Sequence, residues 1–190
     1  MLLFSLALIG QSVPLDTDTS KAAHQCLRAL ISSIAVDDPG RRRGMAQIAY
    51  FSMTESAAGP GLLLEDMHHI VTGISREAPA PMPSLAACDA RFPLARTQAP
   101  AKLPAEPFDR DYLCYGVTVL TGEAGRDDAD ARADIAKQQA RFGPRAMRIN
   151  AARHLNDEAS QMRLLDNVLR ASLQLGNLDT LFQACARLPD

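Results

Sequence analysis

Apolar residues recur every three or four positions along most of the chain, the spacing of amphipathic helices. In the first such segment, Thr19 or Ser20 can cap a helix. A second segment covers 41–56, a third covers 63–74, and a short one covers 84–91. The pattern therefore predicts four helices before residue 92. The apolar face of the first consists of Ala23, Leu27, Leu30, Ile31 and Ile34.

The same order recurs after residue 107. Asp109 can cap a helix that reaches Leu120, although the β-branched and aromatic residues in "YLCYGVTVL" leave a strand open as an alternative. An Ala-rich helix is predicted over 129–141, and "FGP" is expected to break it before another helical stretch at 145–154. Asn156 starts the next helix, and Gly176 is its expected stop. A last helix ends near Cys185.

A change in composition separates these two sets of helices. Seven of the twelve prolines lie between Pro79 and Pro107. Residues 92–107, with "RTQAPAKLPAEP", are typical of an extended linker. We therefore predict a helical module over 19–91, a Pro-rich linker over 92–107 and a second helical module over 108–190.

Two short stretches, one near the end of each module, resemble each other. "AACDARFP" in the first and "QACARLP" in the second both carry Ala-Cys, then Ala-Arg, an apolar residue and Pro. Each module also has a cysteine in its first helix and a turn rich in Asp, Gly and Arg after that helix. We interpret the two modules as copies of one unit, with chance similarity between Ala- and Arg-rich segments as the alternative. The predicted fold is all-α, with two similar modules that arose by internal duplication.

Four cysteines permit three disulfide pairings, and the duplication favours one of them. Cys26 would pair with Cys88, and Cys114 with Cys185, so that each bond joins the first helix of a module to its last. A disulfide that closes a loop of this length stabilises a fold by about 4 kcal/mol. The alternative is four buried, reduced thiols in a cytosolic core. Zinc is disfavoured because the cysteines are dispersed and no C-x-x-C is present.

The first twelve residues, "MLLFSLALIGQS", have the form of a short secretory signal peptide. Gly10 and Ser12 occupy the small-residue positions of a cleavage site before Val13. The segment has no Lys or Arg before its apolar run, and it is shorter than usual. The alternative is a first helix or strand that packs in the core. Export predicts a periplasmic or secreted protein, and retention predicts a cytoplasmic one.

Composition and charge exclude several broad classes of protein. The chain is 47% hydrophobic but only 5% aromatic, with no Trp, which favours a helical core. The formal net charge of -2 gives no field that would attract nucleic acid. A basic stretch from Lys137 to Arg153 is flanked by acidic residues and has no aromatic set for stacking bases. No apolar run is long enough to span a membrane.

The candidate chemical residues lie in two places. In "LEDMHHI", Glu65, His68 and His69 have the spacing at which a carboxylate and an imidazole on one helix face share a metal ion. A solvated face next to buried residues is the favoured interpretation, because no second set of ligands is evident. The run Arg41, Arg42 and Arg43 is a weak candidate for binding an anion, with Asp37 and Asp38 just before it.

No catalytic motif is present: the chain has no G-x-S-x-G, P-loop, G-x-G-x-x-G or H-E-x-x-H. We predict no cofactor, and an enzyme is the less favoured class. The preferred function is an exported helical protein that binds another protein of the cell envelope or serves as a structural component. The alternative is a ligand or metal carrier, or an enzyme, with a site between the modules. The sequence does not indicate an oligomeric state.

The segments "QCLRALISS" and "SLAACDARFP" lie in the N-terminal half. Through them this half resembles small secreted helical proteins of alphaproteobacteria, a group without an assigned activity. The resemblance implies export and paired cysteines, and it implies nothing about catalysis.

Overall fold

The computed structural model describes residues 13–34, 41–124 and 129–189, and within them the chain is helical with no strand. The predicted signal peptide, 1–12, lies outside these residues. We refer to 13–96 as the first half and to 107–189 as the second half. The first half contains α1 (Thr19–Ser33), α2 (Arg41–Ser56), α3 (Leu63–Ile74), α4 (Leu85–Arg91) and α5 (Pro93–Arg96). The second contains α6 (Pro107–Ala124), α7 (Ala129–Ala152), α8 (Glu158–Ser172) and α9 (Leu178–Ala186).

Short polar side chains begin several helices by accepting a hydrogen bond from a first-turn amide. Asp18 accepts from the Lys21 amide and Asp157 from the Ser160 amide. The caps predicted at Thr19 or Ser20 and at Asn156 are therefore wrong by one or two residues. The cap predicted at Asp109 is also wrong, because α6 begins at Pro107 and Asp109 lies in its first turn. Gly176 also differs from its predicted role, because α8 ends at Ser172 and no described glycine has a positive φ.

The segment "YLCYGVTVL" is helical, so the strand alternative is excluded. It lies within α6, with Leu113, Val117 and Leu120 among its buried residues. Gly116 faces α8 so closely that an added Cβ would lie 2.6 Å from the Leu165 Cδ1 atom. Burial against neighbouring helices therefore overrides the β propensity of the segment.

The predicted break at "FGP" is wrong, since α7 continues through Pro144 to Ala152. Phe142 is fully buried just before the proline, and Ala146 and Ile149 are buried after it. Proline removes one intrahelical hydrogen bond and crowds the preceding turn. Burial of the same helix on both sides of Pro144 compensates for that loss.

Two disulfides join the first helix of each half to a later one. Cys26–Cys88 links α1 to α4, and Cys114–Cys185 links α6 to α9, each with a Cα–Cα distance of 5.6 Å. All four residues are buried, and no cysteine is free. The predicted pairing is confirmed.

The two halves share one hydrophobic core. Helix α2 packs against α9, and α3 packs against α8. Buried residues of the first half, such as Phe51 and Leu63, belong to the same cluster as Leu169 and Phe182 of the second. The Cys114–Cys185 bond lies apart from this core, in a small cluster around Phe142.

The segment predicted as an extended linker is packed at its start. Pro93–Arg96 forms α5, and residues 97–106 contain no helix. The buried Asn177 side chain, which caps α9, donates from Nδ2 to the backbone oxygens of Leu94, Ala95 and Thr97 at 2.9–3.2 Å. One amide therefore attaches this segment to the second half.

A charged pair on α8 holds the turn between α2 and α3. Arg170 Nε donates to Asp166 Oδ2 at 2.6 Å, and the other Asp166 oxygen accepts from the Leu63 amide at the start of α3. The remaining Arg170 nitrogens donate to the backbone oxygens of Ala57 and Gly61. We call these contacts the Arg170 clamp. It is largely buried, with 24% of the Arg170 side chain and 12% of the Asp166 side chain exposed.

We expect Arg170→Met to lower the free energy of unfolding by about 3 kcal/mol, because the nearly buried Asp166 carboxylate loses its partner. Urea unfolding of the oxidised protein, followed by circular dichroism, measures the change. Arg163→Met on the same helix is the control, since Arg163 is exposed and donates to the Ser160 hydroxyl. Equal losses in the two variants would contradict a specific role for the clamp.

Candidate functional site

The structure places the predicted metal-binding residues on the surface. Glu65, His68 and His69 are exposed on α3, and the two imidazole rings are 6.0 Å apart. Among the described residues, no group of three His, Cys, Asp or Glu side chains is arranged to hold a metal ion. The arrangement therefore provides no support for a metal site at this segment.

The arginine run begins α2. The side chains of Arg41 and Arg42 lie outside the described part of the structure. Arg43 is exposed and lines a surface cleft of about 390 Å³ together with Arg96 and Asp89. Because the Arg96 Nη1 atom lies 2.5 Å from Asp89 Oδ2, part of the positive charge in this cleft is neutralised within the protein.

A histidine that the sequence analysis did not single out lies in a charged network of the first half. His24 on α1 places Nδ1 3.0 Å from a Glu55 carboxylate oxygen and Nε2 3.0 Å from a Glu77 oxygen. Arg28, one turn further along α1, donates to Glu77 from Nε at 3.1 Å and to the Ala78 oxygen. The network joins α1 to the end of α2 and to the segment after α3.

Burial shapes the acid–base behaviour of Glu55. Partial burial raises its pKa above the ordinary value of 4.5, the contact with His24 lowers it in part, and the nearby Glu77 charge raises it. The net effect is a carboxyl group that holds its proton more tightly in the folded protein than in the unfolded chain.

Two adjacent clefts open beside this network, and Ser20 and Ala58 line both. The first, of about 400 Å³, contains Glu55, Asp66 and His69, so one of the predicted residues does face a cleft. The second, of about 440 Å³, lies where the two halves meet, and we call it the junction cleft. Its lining comes from the start of α1, from α2 and the two residues after it, from the end of α4 with the next residue, and from the residues that follow α8: Thr19, Ser20, Tyr50, Thr54, Ala57, Ala58, Arg91, Phe92, Leu173 and Gln174.

The junction cleft combines one cationic group with hydroxyls and apolar side chains. Arg91, at the end of α4, is exposed, whereas Tyr50, Phe92 and Leu173 are mostly buried. Burial raises the pKa of the Tyr50 phenol, which therefore stays protonated, and its hydroxyl donates to the Leu173 oxygen at 3.5 Å. Such a mixture of apolar walls and a few polar groups is typical of small-molecule sites.

Sequence reasoning missed both features, although part of the network had a detectable signal. His24 and Arg28 are four residues apart and therefore share one face of α1. Their partners Glu55 and Glu77 are 31 and 53 residues from His24, so only the fold brings them together. No local pattern marks the junction cleft, because its walls come from four separate segments.

Comparison of the chain with protein-family models, with curated protein sequences and with solved structures gives no match in any of the three.

The raised pKa of Glu55 predicts a pH-dependent contribution to stability. The folded state binds this proton more tightly, so the contribution is complete below the ordinary pKa and is lost as pH rises through the folded value. Glu55→Gln removes this titration. We therefore expect the Tm of the variant, relative to wild type, to increase as pH rises from about 4 to about 7.

Thermal unfolding at a series of pH values measures this trend. Glu65→Gln is the control, since it removes an equal charge from an exposed position on α3. A Tm difference for Glu55→Gln that falls with rising pH would show that the His24 contact outweighs burial.

Proposed function

We propose that the protein is an exported, non-catalytic binding protein that holds a small ligand in the junction cleft. The observation that carries export is the pair of buried disulfides, one within each half. Disulfides form and persist in oxidising compartments, such as the bacterial periplasm and the extracellular space. Residues 1–12 are the proposed signal peptide, cleaved after Ser12, and the resemblance of the Cys26 and Cys88 segments to secreted helical proteins agrees with this location. No described helix has the length and hydropathy needed to cross a membrane.

Binding is favoured over nucleophilic catalysis by the hydroxyl groups of the junction cleft. Ser20 donates its hydroxyl to the Glu55 backbone oxygen at 3.2 Å, and Thr54 donates to the Tyr50 backbone oxygen at 2.7 Å. A catalytic hydroxyl would instead donate to a general base. These side chains therefore present oxygen lone pairs to a ligand.

We also propose that the halves arose by duplication of one unit and that residues 92–107 began as the linker between the copies. Helix α1 packs against α2 as α6 packs against α7, and each disulfide joins the first helix of a half to a later one. The two copies would later have acquired a common core. The former linker would then have become attached to the second half through α5 and the Asn177 side chain.

An envelope protein partner is the second candidate function. Met147 on α7 is 65% exposed and Phe108 on α6 is 43% exposed. Both lie in the second half, and an apolar partner surface would cover them.

Export is tested by the intact mass of the protein recovered from its native host, alkylated before and after reduction. We expect a chain that starts at Val13 and accepts four alkyl groups only after reduction. The same chain expressed in a reducing cytoplasm is the control for thiol accessibility. A full-length chain that is alkylated at all four cysteines without reduction would overturn the proposal.

Ligand binding is tested by native mass spectrometry of the oxidised protein purified from the same host. We expect an added small-molecule mass that is lost in Ala58→Phe, because a ring at this exposed residue would obstruct the junction cleft. The mass should also be lost in Gln174→Phe, because Gln174 is exposed and lines the junction cleft but not the adjacent one. Ala136→Phe, at an exposed position on α7, is the matched control and should retain the mass. A protein-sized added mass that survives in Ala58→Phe would favour the second candidate.

A further inference from the structure

Charge is distributed unevenly in the junction cleft. Of its ten lining residues, Arg91 is the single one with a full charge. Its Nη2 atom lies 3.4 Å from both the Thr17 backbone oxygen and the Thr19 hydroxyl, at the long limit of hydrogen bonding. Among the described residues, no carboxylate forms an ion pair with Arg91. A guanidinium with unused donors therefore faces the cleft.

The neighbouring acidic groups already have partners within the protein. Asp18 caps α1 by accepting from the Lys21 amide. Glu55, in the adjacent cleft, contacts His24 Nδ1 at 3.0 Å through both of its carboxylate oxygens. Arg91 is therefore the group in the junction cleft that can form an ion pair with an anion from outside. Arg matches a planar carboxylate through two parallel N–H···O bonds.

The rest of the lining specifies an apolar body for the ligand. Phe92 is 5% exposed and Leu173 is 8% exposed, so each is a core residue with a small apolar surface at the cleft. A single cation suits a monoanion better than a phosphate dianion, which carries more charge than Arg91 neutralises. The volume of about 440 Å³ lies within the range of sites for small organic molecules.

We propose that the junction cleft binds a small organic carboxylate, with its carboxylate on Arg91 and its apolar part against Phe92 and Leu173. This inference rests on the proposed binding function and adds the chemical class of the ligand. The oxygens of Ser20 and Thr54 accept hydrogen bonds from hydroxyl or N–H groups on the ligand body.

The test uses the oxidised protein and matched pairs of probes, 3-phenylpropionate with its primary amide and hexanoate with its primary amide. Titration is followed by the backbone amide signals of the protein in two-dimensional NMR. We expect the acids to shift signals of residues 19–20, 91–92 and 173–174, and the amides to bind at least about tenfold more weakly. Arg91→Gln should reduce acid affinity by roughly ten- to a hundredfold and leave amide affinity unchanged.

Arg148→Gln is the matched control, since Arg148 is exposed on α7 and does not line the cleft. Ala58→Phe should abolish binding of both acids without removing any contact of Arg91. Circular dichroism and Tm identify variants that fold incorrectly. If either Arg91→Gln or Ala58→Phe fails to fold, the other variant still tests the proposal.

Several outcomes would overturn the proposal. The first two are equal affinity of the protein for acids and amides, and amide-signal shifts centred away from Arg91. The others are no binding of either acid, and displacement of the acids by inorganic phosphate at a concentration below that of the acid. Binding of peptides through their C-terminal carboxylate, without binding of the small acids, would indicate a protein ligand instead. A co-purified molecule that lacks a carboxylate and is lost in Ala58→Phe would retain the proposed function and overturn this inference alone.

Discussion

The Arg170 clamp sets the relative position of the two halves, and the junction cleft depends on that position. Arg170 and Asp166 bind the turn between α2 and α3 through backbone groups, so the contact is independent of the side chains in the turn. Leu173 and Gln174 follow Arg170 within one helical turn and form one wall of the cleft. A charged pair that is mostly removed from water has a strict geometry, because each unsatisfied donor or acceptor is costly. The clamp therefore adds directional contacts that hold the end of α8 beside the end of α2.

The disulfides have a different role, since each acts within one half. They constrain the unfolded chain and leave the contact between the halves to the shared core, the clamp and Asn177. The core has few aromatic residues, and both halves contribute them: Tyr50, Phe51 and Phe92 come from the first half, and Tyr112 and Phe182 from the second. The Phe51 ring contacts Phe92 edge-on, with centroids 5.5 Å apart. Phe92 also lines the junction cleft, so the same packing that stabilises the first half forms one wall of the proposed site.

Some polar groups around the cleft contact one another and stabilise the fold, whereas Arg91 is available to a ligand. His24, Glu55, Glu77 and Arg28 contact one another in a network that ties three segments together. Arg91 lies outside that network and has only long contacts with Thr17 and Thr19. Charges paired inside the protein stabilise the fold, whereas an unpaired cation at a cleft is available to a ligand. This contrast is the reason for proposing an organic carboxylate as the ligand.

The sequence by itself determined most of the helices and the disulfide pairing, because both have local or repeated signals. The spacing of Leu27, Leu30 and Ile34 marks one face of a helix, and the two Ala-Cys-(Asp)-Ala-Arg segments indicated which cysteines pair. Only the tertiary structure decided that α7 passes through Pro144, that both halves share one core, and that Arg91 lies near Leu173. These features depend on contacts between residues far apart in the chain. The helical periodicity of apolar residues indicates which face of a helix is buried, but it does not indicate which other helix packs against that face.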